Sequence, residues 1–270
     1  MTIRDTEGRP AKARTRLFNS LGVVEIQGVL MNAAWEPTAC VEAIDYPAGE
    51  PMRPVSDLGS EASGRKVAFA RQLRVPFYVV TSVNENRLED LTFTVFEFRP
   101  RDGSTMAQTR EKGLSAEQFA AFWANLKGTT QTKGLPDAGV RIEHSNVDQV
   151  LGKAGLAWGG NVDGVLLDAG EKGGALIEVR KTTKSPLDEY DPADYFHCRG
   201  GDYNTWKPLF RIAHHLAIPL VLLTFKRGED RCGFARLRAL SKQDGIAYHG
   251  GPPFERLLSH RQAKRALTTL

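Results

Sequence analysis

The sequence predicts an α/β fold in which a mixed central sheet is flanked by helices, and in which this arrangement occurs twice in tandem. Two observations support this prediction. Short apolar runs rich in β-branched residues alternate with amphipathic helical patterns. The order of these elements also repeats: ARQLRVPFYVVT at 70–81 resembles AHHLAIPLVLLT at 213–224, and QGVLMN at 27–32 resembles DGVLLD at 163–168. Internal matches of this kind indicate a duplicated structural unit.

The first half contains the first set of elements. We expect a helix at 16–22, strands at 23–31, 39–44, 76–82 and 91–98, and a second helix at 65–73. Residues 50–63 are rich in Pro, Gly and Ser, which indicates a loop. A further helix begins after Ser115, because Ser115 and Gln118 have the spacing of a capping box and apolar side chains follow at helical spacing. Gly128 ends this helix.

The second half repeats the order. Ser145 caps its first helix, whose apolar residues recur at helical spacing. We then expect strands at 162–167, 175–182, 218–225 and 233–240, a helix at 205–216, and a last helix that begins near Pro253. Residues 183–201 form a polar and aromatic loop that is long enough to be functional. The domain prediction is an N-terminal domain at 1–128, a linker at 129–144 and a second domain at 145–270.

The composition is that of an ordinary globular protein, with 41% hydrophobic and 25% charged residues among 270. No apolar run approaches the roughly 20 residues that cross a membrane, and the basic N-terminus lacks the apolar segment of a secretory signal. The three cysteines form no CxxC pair, which argues against a zinc site and favours a reducing cytoplasm. The net charge of +4 permits a polyanionic partner without requiring one.

Each of the strands at 162–167 and 175–182 carries one acid within an apolar run, Asp163 in the first and Glu178 in the second. A buried carboxylate is costly unless it is paired or binds a cation. Two carboxylates on neighbouring strands can converge on one hard divalent cation such as Mg²⁺. The alternative is a structural hairpin with both acids at its solvent-exposed face.

The first half has different residues at two of the three corresponding positions. The matches are Gln27 with Asp163, Glu42 with Glu178, and Ile44 with Arg180. A neutral amide is a weaker ligand for a hard cation than a carboxylate. If the repeat is real, the N-terminal domain is therefore a degenerate, non-catalytic copy. Short matches such as these also arise by chance in α/β chains.

Asp163, followed fifteen residues later by Glu178-Val179-Arg180, resembles the motif of the PD-(D/E)xK nuclease superfamily. The resemblance covers residues 145–240 and implies a restriction-endonuclease-like fold, with Asp163, Glu178 and Arg180 as catalytic residues. It also implies that Asp163, Glu178 and the carbonyl group of Val179 hold Mg²⁺. Arg180 stands in place of the usual lysine, and arginine can bind a phosphate but cannot act as a general base.

Other residues are candidates for the same site. Lys181 could act there only if a β-bulge turned it onto the face of the acids. Asp148 lies fifteen residues before Asp163 and could add an acidic ligand, as could Glu143. For Asp148 the alternative is a first-turn acid favoured by the helix dipole. We expect contacts with the DNA backbone from Lys184, Arg199 and Lys207.

These features predict a Mg²⁺-dependent DNA endonuclease, resembling type II restriction endonucleases, that cleaves double-stranded DNA in the cytoplasm as a homodimer. One active site cuts one strand, so double-strand cleavage requires two chains or two successive nicks. The arginine at position 180 favours an alternative function, a non-catalytic nucleic-acid-binding module that retains the nuclease fold. An α/β protein without any nucleic-acid role is the third possibility.

Overall fold

The computed structural model describes residues 13–101, 104–130, 134–135, 139–140, 145–156, 159–168, 170, 173–183, 185–196 and 201–270. The candidate residues Glu143, Lys184 and Arg199 lie outside these ranges. Within the described ranges, no helix has the length and apolar character needed to span a membrane.

Helices and strands alternate along the chain. The helices are α1 (Ala13–Leu21), α2 (Pro54–Leu58), α3 (Ser60–Gln72), α4 (Ala116–Leu126), α5 (Asn146–Ala154), α6 (Gly201–Leu216) and α7 (His260–Thr268). The strands are β1 (Val24–Met31), β2 (Pro37–Tyr46), β3 (Phe77–Val83), β4 (Thr92–Arg101), β5 (Ser104–Ser115), β6 (Gly160–Leu167), β7 (Gly173–Thr182), β8 (Leu220–Lys226), β9 (Arg231–Ser241), β10 (Gly245–His249) and β11 (Leu257–Ser259). The mixed α/β class expected from the sequence is confirmed.

The chain divides into two compact units. Unit 1 comprises Met1–Glu25 and Val162–Leu270, and unit 2 comprises Ile26–Asn161. In unit 2 the strands pair in the order β1-β2-β3-β4-β5; in unit 1 they pair in the order β6-β7-β8-β9-β10, with β11 on β9. The segment 129–144, which the sequence indicated as a linker, falls within unit 2.

Both units use the same strand-pairing scheme. The first pair (β1–β2 and β6–β7) is antiparallel, the second (β2–β3 and β7–β8) is parallel, and the third (β3–β4 and β8–β9) is antiparallel. The registers also agree, as two sets of partners illustrate: Gly28–Val41 with Gly164–Ile177, and Glu42–Val79 with Glu178–Leu222. Glu42 and Glu178 therefore occupy the same place in their respective units.

Two helices belong to a different unit from most of the strands that follow them in sequence. α1 precedes β1 and β2, yet Leu17 and Phe18 of α1 are buried in the core of unit 1 with Ile177 and Leu267. α5 precedes β6 and β7, yet its apolar face is buried in the core of unit 2. The helix that follows Ser145 therefore belongs to unit 2, whereas the sequence had assigned it to the domain at 145–270.

A polar network holds the beginning of α5 in unit 2. Asn146 is buried; its backbone N–H donates to the Asp45 carboxylate at 2.9 Å, and its side-chain amide donates to Ser82 at 3.0 Å and to Asn84 at 3.1 Å. The Ser82 hydroxyl donates to the Asp45 carboxylate at 2.6 Å. Buried polar groups that satisfy one another favour one docking position. This network explains why α5 joins unit 2 rather than the strands that follow it.

Candidate active site

Asp163 on β6 and Glu178 on β7 are neighbours across two strands. Gly164 and Ile177 are antiparallel partners, and side chains alternate along each strand, so the adjacent residues Asp163 and Glu178 both lie on the other face. Side chains directly opposite each other on antiparallel strands share a face of the sheet, with Cβ atoms about 5 Å apart. The two carboxyl groups therefore project from the same face.

The Asp163 carboxylate also binds the backbone of β7. The N–H group of Val179 donates a hydrogen bond of 2.8 Å to Asp163 Oδ2. This bond joins Asp163 to the residue directly after Glu178 and restrains the distance between the two acids. A carboxylate has about four acceptor positions, so one hydrogen bond is compatible with metal ligation by the same group.

Glu178 is an ionisable side chain in a buried position, with only 7% of its surface exposed. Its pKa is raised to about 8, first by burial and then by the charge of Asp163, whereas the charges of Arg180 and Arg14 oppose the rise. Two carboxylates at close range repel each other and are poorly solvated. A cation bound between them relieves both effects, so the pair has the electrostatics of a cation site.

Arg180 lies on the same face as the acids, two residues after Glu178 on β7. Its Nε is 3.3 Å from Glu178 Oε1, and its guanidinium stacks over the Trp206 ring at 4.8 Å. Its Nη2 is 4.0 Å from Oδ1 of Asp202. α6 thus contributes both an aromatic surface and a carboxylate that orient the guanidinium beside the acids.

Lys181 and Asp148, the other candidates within the described ranges, have different surroundings. The pairing of β7 with β8 runs to Thr182 without a register shift, so no bulge turns the exposed Lys181 toward the acids. Asp148 belongs to unit 2 and lies in the first turn of α5, where its backbone N–H donates to the Ser145 hydroxyl. Its position is that of a first-turn acid favoured by the helix dipole.

Arg14 on α1 is a neighbour of the acids that the sequence did not indicate. Its Nη2 donates to the backbone carbonyl of Asp163 at 3.4 Å, and its guanidinium pairs with Glu25 and stacks over the Phe18 ring at 5.0 Å. Its charge also opposes the raised pKa of Glu178. Arg14 and Asp163 are 149 residues apart, and no local pattern connects them.

Lys207 belongs to a cluster of cations in unit 1. The Lys207 and Lys242 ammonium groups lie 5.6 Å and 5.3 Å from the centre of the Tyr203 ring. The pKa of Lys207 is lowered by desolvation and then by the charges of Arg211 and Lys242. Mutual repulsion of this kind is relieved by a polyanion. The sequence indicated Lys207 as a contact with the DNA backbone, but it gave no sign of Lys242.

The long loop of unit 1 contributes an aromatic pair. The rings of Tyr190 and Tyr195 lie 5.7 Å apart, and Tyr195 is 58% exposed. Burial raises the pKa of Tyr190, and the charge of Arg180 opposes that rise, which places the Tyr190 hydroxyl within electrostatic range of the guanidinium. The loop therefore presents aromatic surface close to the residues around the acids.

The donor set at the acids is small. Within the part of the chain that the structure describes, no group of three or more His, Cys, Asp or Glu side chains is placed to hold a metal ion. Mg²⁺ is commonly held by one or two carboxylates, with waters and substrate oxygens completing its shell. Asp163, Glu178 and the carbonyl group of Val179 match that smaller set, and Arg180 suits an anionic group such as a phosphate. Comparison of the chain with protein-family models, curated proteins and solved structures gives no match.

Proposed function

We propose that unit 1 is a Mg²⁺-dependent endonuclease that hydrolyses phosphodiester bonds in double-stranded DNA, with a restriction-endonuclease-like fold and a role like that of a type II restriction enzyme. The observation that carries the proposal is the pair of acids on neighbouring strands, Asp163 and buried Glu178, with Arg180 on the same face. A buried carboxyl group with a second acid and an arginine beside it suits a divalent cation and a phosphate.

In the proposed reaction, Asp163 and Glu178 hold the ion together with the carbonyl group of Val179. A divalent cation held by these residues would supply Lewis-acid chemistry, activating a water molecule and polarising the scissile phosphate. Arg180 remains protonated and donates hydrogen bonds to a non-bridging phosphate oxygen, where negative charge increases in the transition state. The Trp206 ring and the Asp202 carboxylate keep the guanidinium in place for this contact.

The proposed DNA contacts begin at the cation cluster of Lys207, Arg211 and Lys242. These side chains are sequence-independent partners for backbone phosphates, which supply most of the affinity of non-specific binding. Lys184 and Arg199 remain proposed contacts from the long loop. Two chains acting together would supply the second active site needed for double-strand cleavage, so a homodimer on DNA is part of the proposal.

We further propose that the two units are tandem copies that have exchanged one helix. The shared pairing scheme, the matching registers and the recurrence of the register shift after Leu30 and Leu166 support a duplication. The backbone contact of Asp163 supports it as well, because the side-chain amide oxygen of Gln27 accepts from Ala43 N–H at 2.7 Å in the corresponding place. Unit 2 is then the non-catalytic copy.

Nicking of a supercoiled plasmid tests the proposed activity. We expect relaxation of the plasmid with Mg²⁺ and none with EDTA, and we expect Asp163→Asn and Glu178→Gln to lose at least about 100-fold in rate. Glu117→Gln, which changes an acid in the first turn of α4 of unit 2, is the matched control and keeps the wild-type rate. Cleavage that survives either active-site substitution, or EDTA, contradicts the proposal.

The second candidate function is a nucleic-acid-binding module without catalysis. The presence of Arg180 favours this function. Because β7 pairs regularly through Thr182, Lys181 stays on the opposite face, and an arginine occupies the position where a nuclease of this kind has a lysine. A gel shift on duplex DNA that is weakened by salt, together with an intact plasmid in Mg²⁺, would select this function. No binding and no cleavage would exclude both.

A further inference from the structure

Unit 2 contains a second arrangement of side chains at the place that the acids occupy in unit 1. Glu42 on β2 is 3% exposed and accepts a hydrogen bond of 3.0 Å from the backbone N–H of Gln27. The side-chain oxygen of Gln27 accepts a hydrogen bond of 2.7 Å from the backbone N–H of Ala43. In unit 1, Asp163 Oδ2 accepts the corresponding bond of 2.8 Å from the backbone N–H of Val179. The geometry around the first residue of each pair is therefore the same, although one is an amide and the other a carboxylate.

A lysine stands beside the remaining acid of unit 2. Lys66 on α3 places its Nζ 2.9 Å from Glu42 Oε1, and the two side chains are only 11% and 4% exposed. Phe77 of β3 and Leu220 of β8 correspond in the two repeated sequences. Lys66 lies eleven residues before Phe77, and Leu209 lies eleven residues before Leu220, so Leu209 is the counterpart of Lys66 in unit 1. Leu209 is fully buried and carries no charge.

The two differences compensate each other in charge. At the three positions compared, unit 1 has two carboxylates and an apolar leucine, a set whose charge a divalent cation offsets; Arg180, which stands where unit 2 has Ile44, is a further cation beside Glu178. Unit 2 has one carboxylate, one amide and one ammonium group, and this set is already neutral. A buried acid is stable when a hydrogen-bonded cation accompanies it, and removal of that cation alone leaves an uncompensated buried charge.

We infer that the Lys66 ammonium group takes the place of the divalent cation in unit 2, so that this unit carries a metal-free, internally neutralised copy of the site. The comparison rests on the function proposed for unit 1. It predicts that the chain binds one divalent cation, in unit 1, and that two substitutions convert unit 2 into a second cation site. These are Gln27→Asp and Lys66→Leu, which introduce the residue types found in unit 1.

Calorimetric titration with Mn²⁺ tests the conversion. The wild-type chain binds one equivalent, Glu178→Gln binds none, and Glu178→Gln with Gln27→Asp and Lys66→Leu again binds one equivalent. The reciprocal variant, Asp163→Gln with Leu209→Lys, folds without metal, loses Mn²⁺ binding and has a higher Tm in EDTA than the wild type. The inference is overturned if the wild type binds one equivalent of Mn²⁺ but the triple variant binds none. It is also overturned if the reciprocal variant has a lower Tm in EDTA than the wild type.

Thermal unfolding in EDTA supplies a readout that does not depend on metal binding. Lys66→Leu lowers the Tm because Glu42 loses its cation, and Glu42→Gln with Lys66→Leu restores much of the loss. A Tm of Lys66→Leu equal to that of the wild type overturns the inference. A wild-type chain that binds no Mn²⁺, with the unfolding results as expected, contradicts the proposed function of unit 1 and leaves the buried ion pair of unit 2 established.

Discussion

Glu178 combines three properties that rarely coincide in one side chain: it is buried, the charge of a second acid raises its pKa, and it contacts an arginine. Its pKa of about 8 in the folded protein lies above the ordinary value of about 4.3 expected in the unfolded chain. The folded state therefore binds the proton more tightly. The stabilisation that results is fully present below about pH 4 and is lost as the pH rises toward 8.

This sign leads to a prediction for Glu178→Gln in the absence of metal. At about pH 8 the variant has a free energy of unfolding higher than the wild type by a few kcal/mol, and the difference shrinks toward about pH 5. Mg²⁺ stabilises the wild type at the higher pH but leaves the variant unchanged. Urea denaturation at both pH values, with and without Mg²⁺, measures these differences. A variant that is less stable than the wild type at the higher pH contradicts the prediction.

Arg180 offers a second prediction at the scale of single residues. Arg180→Met removes the proposed phosphate contact while keeping an unbranched side chain over the Trp206 ring. We expect kcat for plasmid nicking to fall about 100-fold, with Mn²⁺ binding retained, because the arginine acts on the transition state rather than on the ion. Lys181→Met, on the opposite face of β7, is the control. An equal loss in both variants contradicts the assigned role.

At the scale of elements, the unit in which each helix is buried determines which residues meet. α1 brings Arg14 to the backbone of Asp163, and α5 brings Asn146 to the polar network of unit 2. Each helix ends at a glycine with a positive φ, 62° at Gly22 and 71° at Gly155, a conformation that favours glycine. The chain can therefore change direction sharply where each helix ends.

The exchange predicts where core substitutions act. Phe18→Ala in α1 and Leu151→Ala in α5 each lower the free energy of unfolding by about 3 kcal/mol. Hydrogen exchange should show faster exchange of backbone amides in β6 and β7 for Phe18→Ala, because those strands line the core of unit 1. For Leu151→Ala it should show faster exchange in β2 and β3, which line the core of unit 2. Loss of protection in β1 and β2 for Phe18→Ala, and in β6 and β7 for Leu151→Ala, would contradict the assignment of these helices to the two cores.

At the scale of the whole molecule, the net charge of +4 is too small to account for tight binding to DNA by itself. Local clustering matters more, because each neutralised phosphate releases counterions. The cations of unit 1 are gathered from distant parts of the chain: Lys207 and Arg211 come from α6, and Lys242 follows β9. The proposed DNA surface thus depends on tertiary structure.

Reversing two of these charges tests the surface. Lys207→Glu with Lys242→Glu should weaken duplex binding at least about 10-fold and reduce the slope of log affinity against log salt by about 2. Lys153→Glu, an exposed lysine of α5 in unit 2, leaves the slope unchanged. Gel shifts at several salt concentrations measure both quantities. An unchanged slope in the double variant would place the DNA elsewhere.

Several features could be predicted from the sequence because they depend on short-range periodicity. The mixed α/β class follows from the alternation of helical and strand patterns, and the alternation of side chains along β7 places Glu178 and Arg180 on one face. The capping box at Ser115 is present as expected. β5 was not predicted, because a run of polar residues such as Gln108 to Lys112 has no apolar pattern to indicate an edge strand.

By itself, the sequence determined the class of fold, the strands that carry the two acids and the arginine that accompanies them. Only the tertiary structure decided which helix covers which strands, and with it the approach of Arg14 to Asp163 and of Lys66 to Glu42. The physical reason is that hydrophobic burial is non-directional and does not depend on separation along the chain. The sequence of an amphipathic helix shows that one face is buried, but not which sheet buries it.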